Sequence, residues 1–137
     1  MAINTEHLLR CIETLEKSYV LIKSTEEGSI DYEMYRNSLV KSFEITLEQA
    51  GKLLKKRITP FFASNKIADT LNFKDIFRNA LKYSLISQEE VERWFVYRDN
   101  RNNTAHDYGV AFAEETLTLM DSFLNDVKNL KKVIEND

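Results

Sequence analysis

The stretch YRNSLVKSFEITLEQAGKLL, residues 35–54, places an apolar side chain at every third or fourth position. This spacing brings the apolar side chains onto one face of an α-helix. The face consists of Tyr35, Leu39, Phe43, Leu47, Ala50 and Leu54. We therefore predict a long helix with Asp31 as its N-cap that runs to about Ile58, because Pro60 disfavours helical backbone in the residue before it.

The same periodicity continues on both sides of this helix. It predicts a first helix from Asn4 to about Glu26, a short one from Phe73 to about Tyr83, a further one that starts at the capping box Ser87–Glu90, and a last one from about Ala111 to Ile134. Three glycines and one proline are few for a strand-rich chain. We predict an all-α fold, an up-and-down helical bundle of four long helices and one short helix, as a single domain over residues 1–137.

Composition limits the classes of function. A formal net charge of −3 argues against broad nonspecific binding of nucleic acid, so an RNA site would have to be local. One cysteine excludes an internal disulfide and, with no visible signal peptide, favours a cytoplasmic protein. No apolar run approaches the length of a membrane span. Two histidines and one cysteine are too few for an ordinary zinc site, and we expect neither a metal nor a cofactor.

One segment interrupts the apolar periodicity, YRDNRNNTAHDYG at residues 97–109. Within it, Arg101, His106 and Tyr108 follow the spacing Arg-x4-His-x-Tyr. Arginine has a planar donor fork that suits phosphate, and histidine is the side chain most easily used as an acid or base near neutral pH. His106 could take the proton of a ribose 2′-hydroxyl while Arg101 neutralises the charge on the phosphoryl oxygens. From residue types alone, a solvated helix end is the commoner explanation of such a stretch.

The spacing within this segment also bears on oligomeric state. If the helix continues, Arg101 and Tyr108 lie on nearly the same face, whereas His106 points to one side. One copy then makes an incomplete pocket, and two copies across a two-fold axis would surround one phosphate with two arginines and two histidines. We therefore predict a homodimer with RNA as its substrate.

Two further clusters have a structural and a functional interpretation. The cations Lys52, Lys55, Lys56 and Arg57 suit the negative end of a helix dipole, with contact to a phosphate or a partner as the alternative. Trp94 and the phenylalanines fit a core better than a binding platform.

The segment Arg101–His106 resembles the Arg-x4–6-His signature of HEPN domains, whose fold is an α-helical bundle. Asp107-Tyr108 completes the Arg-x4-His-x-Tyr form seen in toxins of the HEPN/MNT toxin–antitoxin type. Upstream, Phe43-Glu44, Ala80–Ile86 and Trp94 resemble the nucleotidyltransferase substrate-binding branch of this family.

This resemblance implies a metal-independent endoribonuclease toxin that dimerises with its motifs together. Arg101 and His106 would be the catalytic pair, with Asn102 as a polar supporter. The partner would be an MNT-type nucleotidyltransferase antitoxin that silences the toxin by transferring AMP from ATP to Tyr108. Some members of this branch were described as noncatalytic substrate-binding subunits of a nucleotidyltransferase, and the sequence leaves that alternative open.

Overall fold

Helices form all the regular structure in residues 2–106 and 110–136, which the structure describes apart from the side chains of residues 102–106 and 112. In this computed structural model the helices are α1 (Glu6–Lys23), α2 (Ile30–Ile58), α3 (Asn65–Ala68), α4 (Phe73–Lys82), α5 (Gln88–His106), α6 (Val110–Thr118) and α7 (Met120–Glu135), with a 3-10 turn over Thr59–Phe61. The predicted all-α class is confirmed. Within the described part of the chain, no helix has the length and apolarity of a membrane span.

The long helix predicted around residues 35–54 is the centre of the bundle. As α2 it packs against α1, α4, α5, α6 and α7. Five of the six residues of its predicted apolar face are fully buried, and Tyr35 is half-buried. Phe43 meets Phe123 of α7 edge-to-face, with 4.8 Å between the ring centroids. The helical period of the sequence therefore predicted this core face correctly.

The observed N-caps agree with the predicted helix start for α5 but not for α2. Ser29, not Asp31, caps α2, since the Ser29 hydroxyl accepts a hydrogen bond from the Tyr32 amide at 3.1 Å. Ser29 has the extended backbone that an N-cap requires, and Asp31 lies instead within the first turn. The capping box before α5 is confirmed, because Ser87 accepts from the Glu90 amide at 3.2 Å and the Glu90 carboxylate accepts from the Ser87 amide at 3.1 Å.

Hydroxyl side chains divide what the sequence predicted as one last helix. The amide of Leu119 bonds to the carbonyl of Thr116, three residues back, at 3.1 Å. The carbonyl four residues back is that of Glu115, and it accepts the Thr118 hydroxyl at 2.6 Å. Competition of this kind interrupts the helical ladder, so α6 ends at Thr118 and α7 begins at Met120. Likewise α1 ends at Lys23 rather than near the predicted Glu26. Just after this end, the hydroxyls of Ser24 and Thr25 both donate to the carbonyl of Leu21.

Candidate active site

Helix α5 carries Arg101 and His106, and its preceding turns belong to the core. Trp94 is fully buried, with its ring 4.9 Å from that of Phe77 and 5.6 Å from that of Phe123. Tyr97 and Asn100, which open the segment that the sequence marked as polar, are 1% and 4% exposed. The interpretation of residues 97–100 as part of a solvated polar stretch is therefore wrong for these two side chains. Their buried contacts fix the helix immediately before Arg101.

A buried carboxylate joins α5 to α7. Asp126 is 1% exposed and accepts the Tyr97 hydroxyl at 2.5 Å. Arg93 binds the same carboxylate through two nitrogens, at 2.8 and 2.9 Å. Burial, followed by the hydrogen bond to Asp126, raises the pKa of Tyr97 above its ordinary value. Asp126 was not predicted from the sequence, although its spacing from Phe123 and Leu130 within the apolar face of α7 was a usable signal.

A second buried contact links α5 to the helix that follows the motif. The side-chain amide of Asn100 donates to the hydroxyl of Thr116 on α6 at 2.8 Å, and both residues are buried. Buried polar groups must find partners, so this pair specifies how α5 and α6 meet. The described residues on both sides of the motif are thus joined directly.

Arg101 lies on α5 at an edge that faces α2. It is half-buried, and its Nη2 donates to the Glu48 carboxylate at 2.6 Å. Glu48 itself is largely exposed, so the pair lies at the protein surface. A charge-assisted contact of this length orients the guanidinium. Glu48 was not predicted from the sequence, because it precedes Arg101 by 53 residues and belongs to no motif.

The other predicted site residues have less structural description. The backbone of Asn102 and His106 is helical and belongs to α5, while their side chains and the whole of Tyr108 lie outside the described residues. Positions 101 and 106 are five residues apart in this helix. At about 100° per residue they are separated by roughly 140° around its axis. That one copy of the motif is incomplete stays a prediction, because the side chain of His106 lies outside the described residues.

Helix α6 is also tied to the start of α2. The Tyr32 hydroxyl lies 3.0 and 2.9 Å from the two carboxylate oxygens of Glu114, and Arg36 lies 3.7 Å from the same carboxylate. Burial of Tyr32, together with its hydrogen bond to Glu114, raises the pKa of the hydroxyl to about 12. Ionisation of Tyr32 would place two anions against each other at this contact.

We expect this contact to make stability fall at alkaline pH. The folded-state pKa of Tyr32 is raised from 10.0 to about 12, so its contribution is complete below pH 10 and is lost as pH rises towards 12. The loss corresponds to about 2 kcal/mol in the free energy of unfolding. Urea denaturation of the wild-type protein and Tyr32→Phe across this pH range measures it. If the free energy of unfolding falls by the same amount with pH in both proteins, the prediction is contradicted.

The sequence and the fold both match a known family. The family model described as nucleotidyltransferase substrate binding protein like matches residues 4–136. The chain belongs to this family. A solved structure from Haemophilus influenzae, described as revealing the fold of a substrate-binding domain of a nucleotidyltransferase, aligns with a TM-score of 0.81 and 26% identity over 96% of this chain and 98% of its own.

A second comparison finds a similar protein that is described as a ribonuclease. The protein named probable ribonuclease HepT, from Haemophilus influenzae, is 28% identical over 115 residues, which cover 81% of this chain and 77% of the relative. The resemblance to HEPN domains drawn from residues 101–108 is confirmed at the level of family and fold. The two descriptions differ, since one names a ribonuclease and the other a substrate-binding domain.

Proposed function

We propose that this family member is a metal-independent endoribonuclease in which Arg101 and His106 act on an RNA phosphodiester. The observation that carries the proposal is the position of Arg101. Its guanidinium is half-buried, oriented by Glu48 at 2.6 Å, and carried by a helix that Tyr97 and Asn100 fix in the core. Such a preorganised donor is suited to charge that develops in a transition state. The similarity to a protein named probable ribonuclease HepT supports the same class of activity.

The proposed reaction uses the ribose as its own nucleophile. His106 removes the proton of a 2′-hydroxyl, the O2′–P bond forms and the P–O5′ bond breaks. The products are a 2′,3′-cyclic phosphate and a 5′-hydroxyl, whose oxygen takes up a proton. Arg101 neutralises the charge on the phosphoryl oxygens, and Asn102 supports the phosphate as a polar neighbour. DNA lacks the 2′-hydroxyl and would not react.

Incubation of the purified chain with RNA in the presence of a chelator tests this function. We expect cleavage that leaves 2′,3′-cyclic phosphate ends, and no cleavage of DNA with the same sequence. RNA that stays intact, or that is cut only when a divalent cation is added, would refute the mechanism.

A homodimer is part of this proposal. Positions 101 and 106 point to different sides of α5, so a second copy that faces the first would supply the groups that one copy lacks. In such a site one His106 would act as the base while the other returns the proton to the leaving oxygen. Sedimentation velocity over a concentration series tests for the dimer, and an active monomer would contradict it.

A second candidate function is that of a noncatalytic substrate-binding subunit of a nucleotidyltransferase. The family description and the description of the similar Haemophilus influenzae structure favour it. A protein of this kind would leave RNA intact and would instead raise the activity of its partner on a bound substrate. The chelator experiment therefore distinguishes the two candidates.

We further propose an MNT-type nucleotidyltransferase antitoxin as the partner, with Tyr108 as the acceptor of AMP. The tyrosine oxygen would attack the α-phosphorus of ATP, pyrophosphate would leave, and the hydroxyl proton would pass to a base of the partner. The attached AMP would add negative charge near Arg101 and His106 in the sequence and would compete with the RNA phosphate.

Co-expression with such a partner is expected to increase the intact mass of the chain by one or more AMP units. Tyr108→Phe should abolish the increase, whereas the half-buried Tyr83, replaced by phenylalanine, serves as the matched control and should leave it unchanged. Mass spectrometry of the purified chain measures both. An unmodified chain beside a catalytically competent partner would refute this mode of silencing.

A further inference from the structure

A groove of about 550 Å³ lies beside Glu48, the carboxylate that pairs with Arg101. Glu48 lines it, and Lys52, Lys55 and Arg98 line it further along α2 and α5. A second hollow of about 330 Å³ shares Phe73 and Arg98 with the first. The residues that this hollow adds include Lys74, Arg78 and Asp99. We call the two hollows together the basic trough.

The basic trough concentrates positive charge in a chain that is acidic as a whole. Five cations line it, with two lining carboxylates, Glu48 and Asp99. Two further carboxylates, Asp69 and Asp75, pair with lining cations, so the local balance is one positive charge, whereas the formal net charge of the chain is −3. A local cluster of this kind attracts a polyanion even when the net charge does not. It meets the requirement that an RNA site in this protein be local.

Several of these cations already contact carboxylates, and the contacts are of a weak kind. Lys55 lies 2.9 Å from Asp69 and Lys74 lies 2.9 Å from Asp99. Both carboxylates are mainly exposed, and such pairs contribute only about 0–1 kcal/mol. Phosphate oxygens can therefore replace these carboxylates at little cost. Lys52 is exposed to solvent.

The floor of the basic trough is rigid and aromatic. A Cβ atom at Gly51 would lie 2.9 Å from two carbons of the Phe73 ring, so the ring rests directly on the backbone of α2. The guanidinium of Arg98 lies 4.9 Å from the centroid of this ring. This cation–π contact holds the guanidinium over the ring, and unpaired nucleotide bases stack on arginine and aromatic planes.

The spacing along both helices relates the basic trough to Arg101. Arg98 precedes Arg101 by one turn of α5, and Lys52 follows Glu48 by one turn of α2. Each helix thus carries a cation one turn, or about 5 Å along its axis, from its member of the Arg101–Glu48 pair. From Glu48 to Lys55 the path along α2 is about 10 Å.

We propose that the basic trough binds the single-stranded RNA next to the cleaved phosphodiester, with phosphates on Lys52, Lys55 and Arg98. This inference rests on the proposed ribonuclease function and extends it by naming the path of the substrate. It also gives the basic end of α2 a role beyond the helix dipole. Arg57 is not part of that path, since its Nε donates to the carbonyls of Val133 and Asn136.

Binding can be measured without cleavage in a His106→Ala background. A fluorescent single-stranded RNA of about ten nucleotides is titrated by anisotropy across a salt series. Each phosphate contact to a single strand contributes about 0.7 to the slope of log affinity against log salt. Lys52→Ala with Arg98→Ala should reduce the slope by about 1.4 and the affinity at about 50 mM salt by about 60-fold. Lys17→Ala, an exposed charge-matched control on α1, should change affinity by less than about twofold.

The possible outcomes separate this proposal from the proposed function. Unchanged affinity and slope in the double variant, or no RNA binding by the His106→Ala parent, would overturn the trough. If the double variant does not fold, the exposed single change Lys52→Glu decides, because it should weaken binding at least as much as loss of one contact. A wild-type chain that binds RNA through the trough but never cleaves it would refute only the ribonuclease. A chain whose kcat/KM for RNA is unchanged without Lys52 and Arg98 would refute only the trough.

Discussion

Replacement of His106 by alanine is expected to slow RNA cleavage by about 10²–10⁴-fold, the usual cost of losing a general base. Arg101→Ala should cost about 10²–10³-fold, because a positioned donor to the developing charge is lost. Neither change should unfold the protein. Arg101 pairs with the mainly exposed Glu48, and exposed pairs contribute about 0–1 kcal/mol. Single-turnover cleavage and circular dichroism on the same samples measure both effects.

Arg98→Ala is the matched control for Arg101→Ala, since it removes the same side chain one turn earlier in α5. It should raise KM and leave the rate at saturating RNA nearly unchanged, because Arg98 is proposed to bind the flanking strand. Cleavage by His106→Ala at the wild-type rate would remove the catalytic assignment. A loss of rate in Arg98→Ala equal to that in Arg101→Ala would show that position 101 has no special role.

Arg93→Ala is expected to lower the free energy of unfolding by about 3 kcal/mol. It leaves the Asp126 carboxylate, 1% exposed, without the two charge-assisted hydrogen bonds of the guanidinium. Removing one partner of a buried ion pair typically costs about 3–5 kcal/mol. The lower end applies here, because the Arg93 side chain is 44% exposed and the hydrogen bond from Tyr97 to Asp126 remains. Urea denaturation at neutral pH measures the change.

Two controls give this prediction its meaning. Lys128→Ala breaks a pair with Glu16 in which both side chains are more than 40% exposed, and it should cost no more than about 1 kcal/mol. Arg93→Met combined with Asp126→Leu removes both charges and should recover most of the loss, because apolar side chains of similar volume can replace a buried pair. An Arg93→Ala protein as stable as Lys128→Ala would show that Asp126 does not depend on Arg93.

The sequence predicted those parts of the fold that depend on neighbouring residues. The apolar face of α2 and the capping box before α5 follow from spacings of three and four residues, and both are present. The break at Leu119 was missed because it depends on which donor takes the Glu115 carbonyl, a competition that periodicity does not express. The N-cap of α2 was predicted two residues too late, at Asp31 instead of Ser29, because serine and aspartate are both good N-caps.

Candidate site residues could be proposed from the sequence only where a local motif contains them. Arg101 was proposed as a site residue because of its spacing to His106. Glu48 contacts Arg101 from 53 residues away in sequence, and Asp126 contacts Arg93 from 33 residues away. Pairings at such distances are produced by packing, and local spacing carries no sign of them. Tyr97 was grouped with polar neighbours although its hydroxyl has a buried partner. The roles of Arg101, Asn102, His106 and Tyr108 stay predictions.

The tie between Asp126 and α5 also sets an order of events during translation. The ribosome extends the chain from its N-terminus at about 5–20 residues per second, so Arg93 and Tyr97 emerge before α7. Until α7 follows, the Tyr97 hydroxyl lacks both of its partners, Asp126 and Ser122, and Trp94 lacks the ring of Phe123. The helix that carries Arg101 is therefore completed by a segment synthesised after it. A nascent chain exposes this face to chaperones first and assembles its site later.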